Sequence, residues 1–273
     1  MHKFDITCSI VLFKNNPTIV RRTIEDFLAT ELNARLFLID NSPTPELRDL
    51  VSSERIVYIF NDNNIGFGAA HNIAIRKVIE GREAAYHLVL NPDVSFSKGT
   101  IEYLLDRMEA DKSIGLGIPG VLNFEGEQQY VCKMLPRPSD LILRRLNSRF
   151  LLFLFKERLE AYELRHRDHS LQMEAPSISG CFMFLRVESL KQVGLFDERF
   201  FMYMEDIDLS RRIYQVFKNV YFPEIKIYHG HARESYKNPR LLKIHAISAF
   251  KYFNKWGWFI DRERATINAS LRK

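Results

Sequence analysis

Short β-rich runs alternate with segments of helical period through the first half of the chain, and that rhythm leaves few folds open. Strands are predicted at residues 6–13, 35–39, 57–60 and 87–90, and helices at 18–29, 68–79 and 100–109. Such a succession builds an α/β fold with a mostly parallel sheet covered by helices, and ligands in these folds bind at the carboxyl ends of the strands. The loops after the four strands are polar: Lys14-Asn15-Asn16, Asp40-Asn41-Ser42, Asn61-Asp62-Asn63-Asn64 and Asn91-Pro92-Asp93. Asn and Asp also favour turns and helix caps, so each loop alone has a purely structural reading. Four of them at one edge of a sheet point to a polar pocket.

Composition narrows the classes. With 273 residues, 46% of them hydrophobic, the chain can bury a core as one large domain or two small ones. Cys8, Cys132 and Cys181 are odd in number and far apart, which argues against a disulfide framework or zinc cluster and fits a reducing cytoplasm. The apolar run 6–13 ends in Lys14-Asn15-Asn16 and reads as a first strand rather than a signal peptide. The run 150–155 is far too short to span a bilayer. A net charge of +5 suits a nucleic acid, an anionic membrane or a phosphorylated substrate. Arg21-Arg22, Arg144-Arg145 and Arg211-Arg212 are dispersed and not interleaved with aromatics, so no nucleic-acid partner is expected.

Three segments carry chemistry. In Asn91-Pro92-Asp93 the proline stops a buried strand and leaves Asp93 at its tip, a good position for a ligand to Mg²⁺ or Mn²⁺, which share their coordination with substrate phosphates. Glu205-Asp206-Ile207-Asp208 crowds three carboxylates at the start of a helix near 207–216. Acids there complement the helix dipole, but their mutual repulsion also raises a pKa, as a general base requires. In Tyr228-His229-Gly230-His231 either imidazole can complete a metal site with Asp93, or both can be solvated surface groups. A fourth segment, Gly66-Phe67-Gly68 with His71 and Asn72, is a glycine turn before a helix. It follows the third strand and lacks the third glycine of a dinucleotide fingerprint, which counts against a nicotinamide-dependent oxidoreductase.

Taken in order, Asp40-Asn41-Ser42, Asn63 to Gly68 with Asn72, Asn91-Pro92-Asp93, Ser179-Gly180-Cys181 and Phe201 to Asp208 resemble the family 2 inverting glycosyltransferases, and among them bacterial rhamnosyltransferases. The resemblance covers roughly residues 4–235. It implies a GT-A fold: a Rossmann-like nucleotide-sugar half at about 1–122, an acceptor half at about 123–235, and a helical extension at 236–273. It further implies a nucleoside diphosphate sugar donor and a divalent metal, Mg²⁺ or Mn²⁺. Carried over residue by residue, Asp40 and Asn41 meet the nucleotide, with Gly66, Phe67, Gly68, Asn72, Asn91 and Asp93 completing the donor site. Asp93 and His229 hold the metal, and Asp206 is the catalytic base. Ser179, Gly180 and Cys181 line the sugar pocket with Glu205 and Asp208, which orient the acceptor or the helix. Asn91 stands where the family's metal-binding Asp-x-Asp element has its first acid. The implied reaction moves a sugar, L-rhamnose from dTDP-β-L-rhamnose, to a saccharide on a polyprenyl diphosphate at the cytoplasmic face of the inner membrane; a UDP-hexose donor is the alternative.

Between 139 and 167, basic and bulky apolar residues mix. As one helix, the segment would gather Arg145, Arg149 and Lys156 on a narrow face among Leu and Phe, an arrangement suited to lying on anionic lipid. A helix packed on the domain and a homodimer contact are the other two readings.

Overall fold

A computed structural model describes residues 2–144, 153–230 and 238–272. The sequence readings on Arg145, Arg149, Phe150, Leu151 and His231 lie outside the described residues. The first half follows the expected succession: β1 (Ile6–Leu12), α1 (Pro17–Leu28), β2 (Ala34–Asp40), β3 (Ile56–Phe60), α2 (Phe67–Glu80), β4 (Tyr86–Leu90), β5 (Val94–Phe96), α3 (Thr100–Ala110) and β6 (Ile114–Leu122). α1 starts where the side chain of Asn16 accepts the Thr18 amide at 2.9 Å and Pro17 supplies a helical φ. Its residues Val20, Ile24 and Phe27 then fall on one buried face. β1 and β4 are buried on both faces, as parallel strands between helix layers are.

The second half completes the same sheet. It comprises β7 (Cys132–Lys133), α4 (Pro138–Leu143), α5 (Lys156–Tyr162), β8 (Met173–Glu174), β9 (Ser177–Ile178), β10 (Phe182–Arg186), α6 (Val187–Val193), α7 (Glu205–Tyr214), β11 (Lys218–His229), α8 (Pro239–Trp256) and α9 (Arg262–Ser270). The sheet order is β3-β2-β1-β4-β10-β6-β11-β5, with β8 on β11 and a separate pair β7-β9. The pairings make β1, β2, β3, β4, β6 and β11 run one way, so the sheet is largely parallel as expected.

Two irregularities build the functional edge. β10 inserts antiparallel between β4 and β6 with Phe182 opposite Leu90, so residues 179–181 run beside Asn91-Pro92-Asp93, and the Asn91 amide donates to the Cys181 carbonyl at 2.9 Å. β11 loses register between Phe222 and Lys226 and then pairs with β5, setting His229 opposite Val94, one residue from Asp93. The two strands expected at 220–222 and 226–228 are therefore one, bent at Pro223.

Residues 139–167 do not form the single interfacial helix. Asp140 and Arg158 would stand about 27 Å apart along one helix, yet the Arg158 Nε donates to the Asp140 carboxylate at 2.9 Å. The described residues instead fold as α4 and α5 against each other, with Leu141 and Leu143 buried. Among the described residues no helix is long and apolar enough to cross a membrane. The C-terminal helices pack back on this half. Arg211 of α7, 1% exposed, pairs with Asp261 at 2.8 Å and Glu263 at 2.6 Å, and Tyr252 and Phe253 of α8 bury Phe200 and Met204.

Candidate active site

Asp93 lies beyond the end of β4, and the imidazole Nε2 of His229 stands 3.5 Å from its Oδ1. The side chain of Gln129 faces the other ring nitrogen of His229 at 3.3 Å, and its amide donates to the His229 carbonyl at 2.7 Å, which fixes the ring. Asn91 Nδ2 is 3.4 Å from the same Nε2, so Asn91 contacts the imidazole. A carboxylate beside an imidazole suits Mg²⁺ or Mn²⁺ when phosphate oxygens supply the remaining positions. Among the described residues no group of three His, Cys, Asp or Glu gathers for a metal.

Asp206 also meets the 179–181 segment. Its Oδ2 accepts the Gly180 amide at 3.0 Å and its Oδ1 the Ile207 amide at 2.8 Å. A Cβ on residue 180 would come within 3.2 Å of the Asp206 Cβ, so glycine allows this close seating. Glu205, beside it, is buried, and its Oε2 has no hydrogen-bond partner among the described residues. Burial and then the charge of Asp206 push the Glu205 carboxyl up, and burial raises Asp206 as well. Asp206 accepts an amide on each oxygen, whereas one oxygen of Glu205 has no partner among the described residues, so the shared proton belongs on Glu205. Cys181 is buried between the two acidic centres, its thiol pushed up to about 12 by burial first, with Asp93 and Asp206 adding to it.

The remaining expected donor-site residues serve the walls. Asp40 is fully buried: its Oδ2 accepts the Tyr58 hydroxyl at 2.5 Å and its Oδ1 the Ser42 amide at 2.8 Å, so its carboxylate shapes the loop. Asn41 ties its own strand-end loop to the one after β3, accepting from Asn61 Nδ2 at 2.7 Å and donating to the Gly66 carbonyl at 3.3 Å. The glycine turn is not open for a phosphate. Phe67 donates its amide to the Phe201 carbonyl at 2.8 Å, and Gly68 faces the Phe196 side chain. Asn72 is 1% exposed and clamps the same loop, donating to the Phe196 carbonyl and Glu198 at 2.9 Å and accepting the Phe196 amide at 3.1 Å. Residues 66–72 thus seat the segment 196–201 that leads into α7. Phe67 itself does reach the site, its ring edge 3.5 Å from where a Gly180 Cβ would stand. Asp208, also expected at the acceptor, is fully buried and bonds Arg212, Lys255 and Trp256, so it orients the helix.

Gly66 has φ 95° and ψ 173°, a region open essentially to glycine alone, and a Cβ there would lie 2.3 Å from the Phe201 carbonyl oxygen. Gly66→Ala is expected to cost about 1–3 kcal/mol from backbone strain alone, with the clash added. It should also lower activity by displacing the segment before Asp206. Chemical denaturation checks the first effect; a variant as stable as wild type would mean the turn relaxes freely.

Over residues 8–194 the sequence matches the family model for glycosyl transferase family 2, more than half of the chain. The chain belongs to that family. It is 27% identical to an N-acetylglucosaminyl-diphospho-decaprenol L-rhamnosyltransferase of Mycobacterium tuberculosis, over 96% of this chain and 88% of the relative. It is 24% identical to the rhamnosyltransferase WbbL of Escherichia coli K12, over 75% of each. The structure superposes on GalNAc-T7, crystallised with UDP, GalNAc and Mn²⁺, with a TM-score of 0.62 at 14% identity. That match covers 93% of this chain and 50% of GalNAc-T7, so this chain spans half its length. The fold is therefore GT-A, and this family 2 glycosyltransferase carries Asp40 and Asp93 at strand ends and Glu205, Asp206 and Asp208 in the first turn of α7.

Sequence reasoning missed Lys133, which lines a cleft of about 980 Å³ with Arg144, Phe153, Glu163, Ser179 and His229. The signal was a lone lysine between Cys132 and Met134, both buried in an apolar run. Burial first, then Arg144, pulls its ammonium down to about 8.

The Glu205 shift gives the transferase a stability signature. A carboxyl raised above its ordinary 4.5 contributes stability that is complete below that value and is lost as pH rises through the folded-state pKa. Glu205→Gln stays neutral, so its melting temperature is expected to gain on wild type between about pH 5 and about pH 9. A difference independent of pH in paired thermal unfolding would mean that Glu205 ionises like an exposed acid.

Proposed function

We propose that this family 2 enzyme is an inverting rhamnosyltransferase. It takes L-rhamnose from dTDP-β-L-rhamnose to a hydroxyl of a lipid-linked saccharide in cell-surface polysaccharide synthesis, working at the cytoplasmic face of a membrane. The observation that carries the reading is the pair of acidic centres next to residues 179–181: Asp206 held by the Gly180 and Ile207 amides, and Asp93 with His229 beside the Asn91 that bonds Cys181. The rhamnosyltransferase names of two relatives support the donor sugar, and the diphospho-decaprenol in one of them supports the acceptor class.

Each role follows from charge. Asp206 accepts the proton of the acceptor hydroxyl as its oxygen bonds to the anomeric carbon, and the bond from that carbon to the diphosphate oxygen breaks on the opposite face, giving inversion. The Gly180 and Ile207 amides hold the carboxylate in line for that proton. Glu205, protonated, adds no second negative charge beside it. Asp93 and His229 would hold the divalent metal, which when bound offsets the charge growing on the departing diphosphate.

Calorimetric titration of dTDP, UDP and GDP, with and without Mn²⁺, tests the donor site. Metal-strengthened dTDP binding that weakens about tenfold or more in Asp93→Ala is the expected result. Metal-strengthened UDP binding with no dTDP preference would replace rhamnose by a UDP-hexose donor. Binding of none of the three would remove the donor-site assignment.

A further inference from the structure

We propose that Lys133 is the anion-binding residue of the acceptor site, holding a phosphoryl group attached to the acceptor sugar at the position remote from the reacting hydroxyl. This inference rests on the transferase reading above, and nothing in the family match or the relatives' names assigns the residue.

Lys133 ends β7, opposite Ser177 of β9, which leads through Ser179 to Gly180 and so to Asp206. It shares its cleft with Ser179 and His229, and its side chain lies within electrostatic reach of Asp206. Among the described residues no hydrogen bond or ion pair engages its ammonium. The carboxylate nearest in role, Glu163, is already held by Arg144 at 3.3 Å and Arg165 at 2.6 Å. A half-buried ammonium without a carboxylate is costly, and its lowered pKa reflects that cost. A ligand phosphate offsets it with charge-assisted hydrogen bonds. The cleft thus offers a cation for an anion, and the base Asp206 adjoins it through Gly180, the neighbour of the lining residue Ser179. One sugar residue bearing a phosphate on its anomeric oxygen and a nucleophilic hydroxyl across the ring meets both. Phe153, 78% exposed, lines the same cleft and offers an apolar surface to a lipid chain beyond the phosphate.

The test compares two acceptors, N-acetylglucosamine carrying an undecyl diphosphate and the same sugar as a neutral undecyl glycoside, with Mn²⁺ and dTDP-rhamnose. Wild type is expected to favour the diphosphate in kcat/KM by about ten- to a hundredfold. Lys133→Gln should bring the ratio close to one, and Lys133→Arg should keep most of it. A wild-type ratio near one, or an undiminished ratio in Lys133→Gln, overturns the inference. So does a Lys133→Gln variant whose dTDP affinity falls while the acceptor ratio holds, since the lysine would then serve the donor's diphosphate. If neither acceptor is glycosylated, the reading of donor or acceptor sugar fails. The inference is then read from calorimetric binding of the undecyl diphosphate sugar to dTDP-loaded wild type and Lys133→Gln, equal affinities overturning it.

Discussion

Asp206→Asn is expected to lower kcat by about two to four orders of magnitude, the contribution of a positioned general base, while dTDP binding stays as in wild type. The substitution is nearly isosteric. An amide oxygen can still accept the Gly180 or the Ile207 amide, so the start of α7 keeps at least one of the bonds that seat it. What it removes is the lone pair that takes the acceptor's proton. Burial raises both carboxyls above the ordinary carboxylate range, and the charge of Asp206 raises Glu205 further, so wild-type kcat/KM should fall as pH drops through that raised range. Single-turnover rates with saturating donor check the prediction, since they separate chemistry from product release. Full activity in Asp206→Asn would move the base to Glu205, whose own replacement by Gln would then become the disabling one.

The donor half was legible because its signals are local. Val20, Ile24 and Phe27 repeat on one helical face, and strand-end amides such as Asn41 and Asn91 sit directly after buried runs. The antiparallel insertion of β10 was not legible, because its pairing with β4 joins residues some ninety positions apart that carry no matching pattern. The same limit explains the site residues that changed role. Asn72 and Asp208 have the letters of ligands, but partners up to 126 residues away help consume them, and only the folded chain reveals those partners. Between 139 and 167 the helical period of charges was real in sequence, yet the ion pair of Asp140 with Arg158 requires the chain to double back. Asp93, His229 and Asp206 could be singled out from sequence because each sits at or beside an element's end, and the fold brings Asp93 and His229 together.

Asp208→Ala is expected to destabilise the fold by about 3 kcal/mol, as the removal of one member of a buried ion pair does. The Asp208 carboxylate is fully buried and accepts from Arg212 Nε at 2.9 Å, Lys255 Nζ at 2.7 Å and Trp256 Nε1 at 2.8 Å. Its loss leaves the indole without a partner and Lys255 with Asp197 alone. Arg212 keeps the carbonyls of Val193, Gly194 and Leu195, so α7 remains anchored at one flank while the seam with α8 loosens. That seam buries Phe200 and Met204, the residues that lead into Glu205 and Asp206. Activity should therefore fall through kcat, because the base is displaced, and recover in part at lower temperature. Asp208→Asn keeps one acceptor for the indole and is expected to lose less. An acceptor-pocket role predicts the opposite pattern: a raised acceptor KM with stability unchanged. Equilibrium denaturation measured beside acceptor kinetics decides between a residue that holds the helix and one that touches the sugar.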